Sequence, residues 1–556
     1  MRQTTLNVPL EVRPESASRL AALVDAFRRR EDTGMIGDDD NFARLKRDVP
    51  MLHFMSISVF AGAEYDPIFV LEANFDGAPE PFWRQLDSAF GDDLRAMLRC
   101  CKRPLTADGA LYDAATADPP RATAGAYLAA RTQRPSVFHH GNRGLSRDRI
   151  WAERDLFRAA RDELDGIGKD GAQQPGPSPY RGVGAAQVHA TLRARMQPAF
   201  PWLDQPALAR ITPAERALDI LRLAAFVVVV LFVATLPGIV LAALLPLKAY
   251  LVVTLAAGVV GLVGFLRTRD PLPGTDVPTR FKLLRFLARH LVLIAAGIAI
   301  YAVTVAVVLI LLAHPASLVL AWLGGPPPIT FHAAFWPVVR TVLWGLASLP
   351  VVVIVLVFWL RWLERRDSSH DAPPQNEQVL REMIRREDWV AQNHMGSIVL
   401  IKPGILRTSV ISAGHLGLGL LLRVKATDGY LGSMRTVHFA HWAFLNNRSR
   451  LLFFSNFDHS WGSYLDDFIE KAHVGLTLAW GCGVGFPPTR FLIYDGASHG
   501  RQFKAWALSS RTVSRFWYSA YPKLTVDQVE RNNRIANGLR QQTLSAAEAE
   551  TWMADL

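Results

Sequence analysis

Thr436-Val-His-Phe-Ala-His-Trp-Ala-Phe-Leu445, followed by Leu451-Leu-Phe-Phe-Ser-Asn-Phe-Asp-His459, is a pair of β-type runs in the last third of the chain. Apolar and aromatic residues dominate both runs. The first half contains the same pair: Met51-Leu-His-Phe-Met-Ser-Ile-Ser-Val-Phe60, then Ile68-Phe-Val-Leu-Glu-Ala-Asn-Phe-Asp-Gly77. His53-Phe54 falls on His438-Phe439, and Asn74-Phe75-Asp76 falls on Asn456-Phe457-Asp458. The separation between the two motifs is 21 residues in one case and 18 in the other, a difference a hairpin loop absorbs.

The match extends outward. A helix is expected near Glu80–Arg99 after the first pair and near Trp461–Ala472 after the second. Val137–Leu156 runs parallel to Phe516–Ile535, each a strand leading to a Ser or Thr (Ser146, Thr525) that can cap a charged helix. Upstream, Leu6–Val12 with Ala17–Arg30 corresponds to Ile398–Arg407 with Ser409–Arg423, strand then helix. Each half therefore reads as βαββαβ with a helical tail, the ferredoxin-like plan written twice. Two such sheets are expected to pack face to face.

Between the copies the chain changes character. Leu223–Leu247 holds 25 residues without a charge, and Ala249–Leu266 holds 18. Leu291–Leu312 and Thr341–Leu360 complete four runs, each near the length of helix that crosses a hydrocarbon layer. Arg210, Arg216 and Arg222 precede the first run. Arg267, Arg269, Arg280, Lys282, Arg285 and Arg289 lie between the second and third, and Arg361, Arg365 and Arg366 follow the fourth. Only Lys248 and Arg340 stand on the other side, a bias of twelve to two that predicts both termini in the cytoplasm of a bacterial inner membrane. The loop from Ala313 to Val339 reads as interfacial or re-entrant, with Trp322 and Trp336 at headgroup level, and Pro237 and Pro350 as kinks.

The expected organisation is thus α+β plus membrane helices: residues 1–200 and 367–556 as two ferredoxin-like cytoplasmic domains, joined by a four-helix transmembrane region over 201–366. Polar spacers cover 167–185 and 367–377. The net charge of +11 gathers beside the apolar runs, which points to anionic lipid and away from nucleic acid. The stripe Arg280–Arg289 reads likewise as an interfacial helix. Met1–Arg19 has no apolar core of a signal peptide, so the first apolar run is expected to act as the insertion signal. Cys100, Cys101 and Cys482 form no CxxC pair and suit a reducing compartment, and no metal set is expected.

His438-Phe-Ala-His-Trp442, Asn456-Phe-Asp-His-Ser-Trp-Gly-Ser-Tyr-Leu-Asp-Asp-Phe468, Gly485-Phe-Pro487 and Trp517-Tyr-Ser-Ala-Tyr-Pro522 resemble the motifs of an uncharacterised bacterial membrane-protein family. That family carries HFARW, NYDGSWESYLDDF and WYSAYP patterns; this chain departs from it at His441 and His459, where the family has Arg and Gly. At the level of fold the paired domains resemble the dye-decolourising peroxidase and chlorite dismutase group, which binds haem. Ala73-Asn-Phe-Asp-Gly77 approaches the GxxDG motif of those peroxidases, with Ala in place of the first Gly. This resemblance implies haem as a cofactor and His53 or His438 as its ligand.

Three residues are candidates for chemistry: His438, Asp458 and Asp76. The alternative for the two aspartates is a capping role at turns. His438 and His441 stand three apart, which on a regular strand puts them on opposite faces, His438 in the core and His441 at the surface. Cys482 in Gly481-Cys-Gly483 has no diagnostic His spacing. The apolar runs contain no Asp or Glu, which weighs against a transporter. The leading expectation is a membrane protein whose paired domains bind a partner or small ligand in the cytoplasm, and the alternative is a haem-dependent oxidoreductase.

Overall fold

A computed structural model describes residues 2–33, 41–61, 65–167, 180–207, 209–268, 288–369, 376–387, 391–426, 431, 434–492 and 494–556. The first half contains β1 (Gln3–Glu11), α1 (Ala17–Glu31), α2 (Ala43–Asp48), β2 (Leu52–Phe60), β3 (Ile68–Asp76) and α3 (Pro79–Leu98). It continues with α4 (Asp108–Thr116), α5 (Ala124–Ala130), β4 (Val137–His140), α6 (Arg147–Leu164) and α7 (Ala185–Met196). The apolar region forms α8 (Pro213–Leu244), α9 (Leu247–Thr268), α10 (Leu291–Trp322), α11 (Phe331–Ala347) and α12 (Leu349–Arg365). After α13 (Glu377–Glu387) come β5 (Gln392–Leu400), α14 (Ile405–Lys425), β6 (Val437–Leu445), β7 (Arg450–Asp458) and α15 (Trp461–Trp480). Short β8 (Thr489–Arg490) and β9 (Tyr494–Asp495) precede α16 (Gly500–Ser509), β10 (Arg511–Thr512), β11 (Phe516–Ser519), α17 (Val526–Arg540) and α18 (Ala546–Met553).

The two large sheets share a strand order. One runs β1-β3-β2-β11 and the other β10-β5-β7-β6-β4. Each takes its fourth strand from the other half: β4 pairs with β6, Val137 opposite Trp442, and β11 pairs with β2, Phe516 opposite Ile57. Neither half therefore completes the βαββαβ sheet expected of it, and the sheets cross the boundaries at 200 and 367. The correspondence reaches fine detail. Gln3 opposes Asp76 and Gln392 opposes Asp458. A bulge interrupts β2 between Leu52 and Phe54 and β6 between Val437 and Phe439. Both 20-residue helices that follow break their helical geometry at the twelfth residue, Phe90 in α3 and Ala472 in α15.

The strands are buried on both faces, which accounts for their nearly continuous apolar runs. On the outer face of the first sheet α1 and α3 cover a core of Leu20, Phe27, Phe82 and Leu86 against Leu6, Leu71 and Phe75. On the second, α14 and α15 pack Ile411, Tyr464 and Phe468 against Val399, Phe453 and Phe457. Phe75 stacks on Phe82 at 4.2 Å, and its counterpart Phe457 stacks on Tyr464 at 4.1 Å. Losing such a buried ring costs about 3–5 kcal/mol. The inner faces meet each other, as expected, through an apolar zone that includes Phe60, Val70, Leu452 and Phe454 and a polar zone described below.

Among the described residues five helical stretches, not four, are long and apolar enough to cross a membrane: 213–244, 247–267, 291–322, 331–365 and 405–425. The last, α14, was expected as a helix covering a sheet, and its mean hydropathy of 1.5 is below the 2.3 to 2.8 of the others. The expected re-entrant loop is mostly helical, because α10 continues through Pro315 to Trp322 and α11 begins at Phe331. Pro237 lies inside α8, whereas Pro350 starts α12, so the chain breaks at Ser348. Of the stripe Arg280–Arg289, residues 280–287 lie outside the described residues, as does most of the two polar spacers.

Candidate functional site

The bulge in each hairpin places a histidine out of register, and each meets the aspartate that ends the neighbouring strand. His438 Nε2 lies 2.8 Å from Asp458 Oδ1, and His53 Nε2 lies 3.1 Å from Asp76 Oδ2. Each aspartate also accepts from the first backbone N–H of a distant helix: Val526 N of α17 donates to Asp458 at 2.8 Å, Arg147 N of α6 to Asp76 at 2.9 Å. A carboxylate suits that place, since a helix N-terminus has unpaired donors and the positive end of its dipole. The aspartates are thus capping groups, but for the helix after the fourth strand and not for the one that follows directly. Gln3 and Gln392 complete the two clasps, donating to the backbone carbonyls of Leu145 at 2.9 Å and Tyr521 at 3.1 Å.

His53 and His438 do not fit as haem ligands. Both are fully buried. Tyr521 Oη is 2.9 Å from His53 Nδ1, and His53 Nε2 faces the Asp76 carboxylate. The His438 ring is wedged against Phe54 at 5.4 Å and Tyr521 at 6.0 Å with its Nε2 facing a carboxylate. An axial ligand needs an open approach beside one nitrogen, which these rings lack. Among the described residues no group of three or more His, Cys, Asp or Glu could hold a metal ion. His441, expected at the surface, is fully buried as well, because its face of the sheet meets the other sheet and not solvent. Cys482 is buried, and burial pushes its thiol up to about 11, the reverse of an activated nucleophile.

The polar zone between the sheets centres on Glu72, which lies within the run Ile68–Gly77 but is not among the candidate residues named above. Asn7, Glu72 and Ser56 stand side by side across β1, β3 and β2. Glu72 accepts from Ser56 Oγ at 2.8 Å, Asn74 Nδ2 at 2.7 Å and, across the interface, Asn456 Nδ2 at 3.3 Å. His394 and His441 each approach it to 3.9 Å, and His441 Nε2 lies 2.7 Å from Asn7 Oδ1. Burial drives the Glu72 carboxyl up to about 7 against these three neutral donors. Burial also pushes His441 down to about 3. The result is a carboxyl poised to exchange its proton near neutrality while the histidine beside it stays uncharged.

At the edge of this zone the two halves leave a cleft of about 410 Å3. Its first wall carries Arg28, Arg29 and Lys46 from α1 and α2, and its second Arg385, Arg511 and Arg515. Asp32, Glu382 and Glu387 are the acids facing it. Its floor includes His394 and Trp517, whose rings lie nearly parallel at 6.0 Å and 15°. Both rings bond to one atom of the polar zone: Trp517 Nε1 donates to Asn456 Oδ1 at 2.8 Å, and His394 Nδ1 lies 3.1 Å from it.

No family model, curated protein or solved structure matches this chain. Glu72, His394 and the cationic walls of the cleft were not singled out in the sequence, for identifiable reasons. A carboxylate inside the apolar run Ile68–Phe75 was a visible anomaly. His394 was hidden because Gln392-Asn-His394 is too polar to read as the start of a strand.

Proposed function

We propose that the chain is a multi-pass protein of a bacterial inner membrane, both termini cytoplasmic, that binds a small ligand in the cleft between its two soluble halves. The observation that carries this reading is the shared cleft: Arg28 and Lys46 come from one half, His394, Arg511 and Trp517 from the other. Cavities of about 300–1,000 Å3 at the junction of two units are the usual seat of small molecules. The matched bulges, registers and clasps support the further reading that the halves are diverged copies of one ferredoxin-like unit that exchanged their fourth strands.

The twelve-to-two Lys/Arg bias supports the orientation. So does the position of α14, which links β5 to β6 of one sheet and is tied to its neighbours: His415 Nε2 lies 3.0 Å from the Ala479 carbonyl of α15, and Ser136 Oγ, just before β4, lies 3.0 Å from His415 Nδ1. A helix so held covers its sheet, leaving four stretches to cross the bilayer. Melting of the full-length protein in nanodiscs, with and without a desalted cytoplasmic metabolite extract, tests the cleft. The extract is expected to raise the melting temperature of wild type and not of Val513→Trp, which fills the cleft with an indole. An equal shift in both proteins, or none in either, refutes the reading.

A further inference from the structure

We propose that the ligand of this cleft is a small organic phosphate carrying a planar ring, about the size of a mononucleotide; the proposal rests on the cleft being a binding site. Six cationic side chains face three acidic ones, so the cleft has an excess of positive charge. Two of the six are already matched: Arg515 lies 2.9 Å from Asp25, and Arg511 3.7 Å from Glu387. Arg28, Arg29 and Arg385 have no carboxylate within 4.0 Å among the described residues. A dianionic phosphate offers such guanidinium groups several acceptor oxygens at once, in the geometry they bind bidentately.

Arg511 is held in advance. It is 6% exposed, donates to the backbone carbonyl of His394 at 3.1 Å, and lies over the Trp461 ring at 5.7 Å. Its position is therefore fixed before any ligand arrives, which lowers the ordering cost of binding. Trp517 is equally fixed, by its bond to Asn456 and by the parallel His394 ring beneath it. Its half-buried indole lines the cleft and offers a flat apolar face beside the cations. A volume of about 410 Å3 accommodates a mononucleotide.

The test is isothermal titration of the full-length protein in phosphatidylcholine nanodiscs with AMP, ribose 5-phosphate, adenosine and citrate as probes. AMP is expected to bind, more weakly as salt rises. Ribose 5-phosphate should bind at least tenfold less tightly for want of a ring, and adenosine and citrate should not bind measurably. Arg28→Glu with Arg385→Glu should weaken AMP at least tenfold without moving the melting temperature, since both side chains are partly or wholly exposed. Adenosine or citrate matching AMP, or an affinity indifferent to salt and to both reversals, overturns the phosphate assignment. If AMP fails while the extract still stabilises wild type but not Val513→Trp, the ligand class is wrong and the cleft stands. If neither acts, both readings fall.

Discussion

Replacing Glu72 by Gln should stabilise the protein at alkaline pH and leave it nearly unchanged at acidic pH. Gln is the isostere of the protonated acid. Its Oε1 keeps the two amide donors that Glu72 Oε1 accepts, Asn74 at 2.7 Å and Asn456 at 3.3 Å. Its NH2 then donates to Ser56 Oγ, whose hydroxyl now donates to Glu72 at 2.8 Å and can rotate. The carboxyl ordinarily titrates at 4.5 and in the folded protein at about 7. A raised acid holds its proton better when folded, so its contribution is full below 4.5 and is lost as pH rises through 7. At 1.36 kcal/mol per pKa unit the loss is about 3 kcal/mol, or roughly 5 °C in melting temperature for a soluble portion of this size. Melts of wild type and Glu72→Gln at pH 5 and pH 8.5 measure it. A difference of the same size at both pH values, or a variant less stable at both, would show that Glu72 is not a costly buried charge.

The opposite trend should come from the buried bases. Burial holds His441 near 3 and His139 near 4. Their stabilisation is full above the ordinary 6.5 and is lost as pH falls below it, so Glu72→Gln should melt progressively lower from pH 6.5 to 4.5, and a flat profile would refute this. Asp458→Ala should cost several kcal/mol, because His438 Nε2 and Val526 N both lose a buried acceptor. Asp458→Asn should lie between it and wild type, since one oxygen now serves two donors; a melt showing Asn as costly as Ala contradicts the clasp. Asp219, 3% exposed and 2.8 Å from Arg143, should cost on the order of 3 kcal/mol when changed to Ala, and an unaltered melt would show the pair contributes little. Cys100, Cys101 and Cys482 should resist maleimide in the folded protein and react fully in denaturant, as read by intact mass.

The hairpins were legible because apolar runs flanked by turn residues name strands directly, and 52–60, 68–76, 437–445 and 450–458 fell within a residue or two of expectation. Their internal likeness was legible for the same reason. The strand exchange was not. Val137–His140 and Phe516–Ser519 are four-residue strands, and nothing in so short a run says which edge it joins. Trp461–Trp480 runs eight residues past its expected end because the break at Ala472 bends the helix without ending it. Asp76 and Asp458 were legible as caps, yet the helix each one caps lies about 70 residues away in sequence, as Asp458 and Val526 show. Glu72 and the cleft depend on which residues the two facing sheets bring opposite one another, which a linear pattern of burial does not contain.

The exchange also binds the membrane helices to the interior. Arg143, three residues beyond β4, reaches Asp219 at the base of α8, and Arg210 reaches Glu530 of α17 at 2.7 Å. At the other end of the apolar region, Glu364 of α12 accepts from the backbone N–H groups of Phe491 at 3.0 Å and Leu492 at 2.9 Å. Inside, Thr5 Oγ1 joins His140 of β4 at 2.9 Å to Asn74 at 2.7 Å, and Asn74 donates to Glu72. Asn456 continues from Glu72 to Trp517 in the cleft. One carboxyl that changes charge near neutrality therefore sits midway between the cleft and a strand anchored to the first membrane helix. Linkage is reciprocal. If ligand contact with Trp517 pulls Asn456 off Glu72, it removes a donor that favours the charged form, raises the proton affinity of Glu72 and makes binding tighter at acidic pH. The Asn456 bond would then carry the coupling, and Glu72→Gln would leave only the pH dependence of the ligand's own phosphate, with the cleft intact.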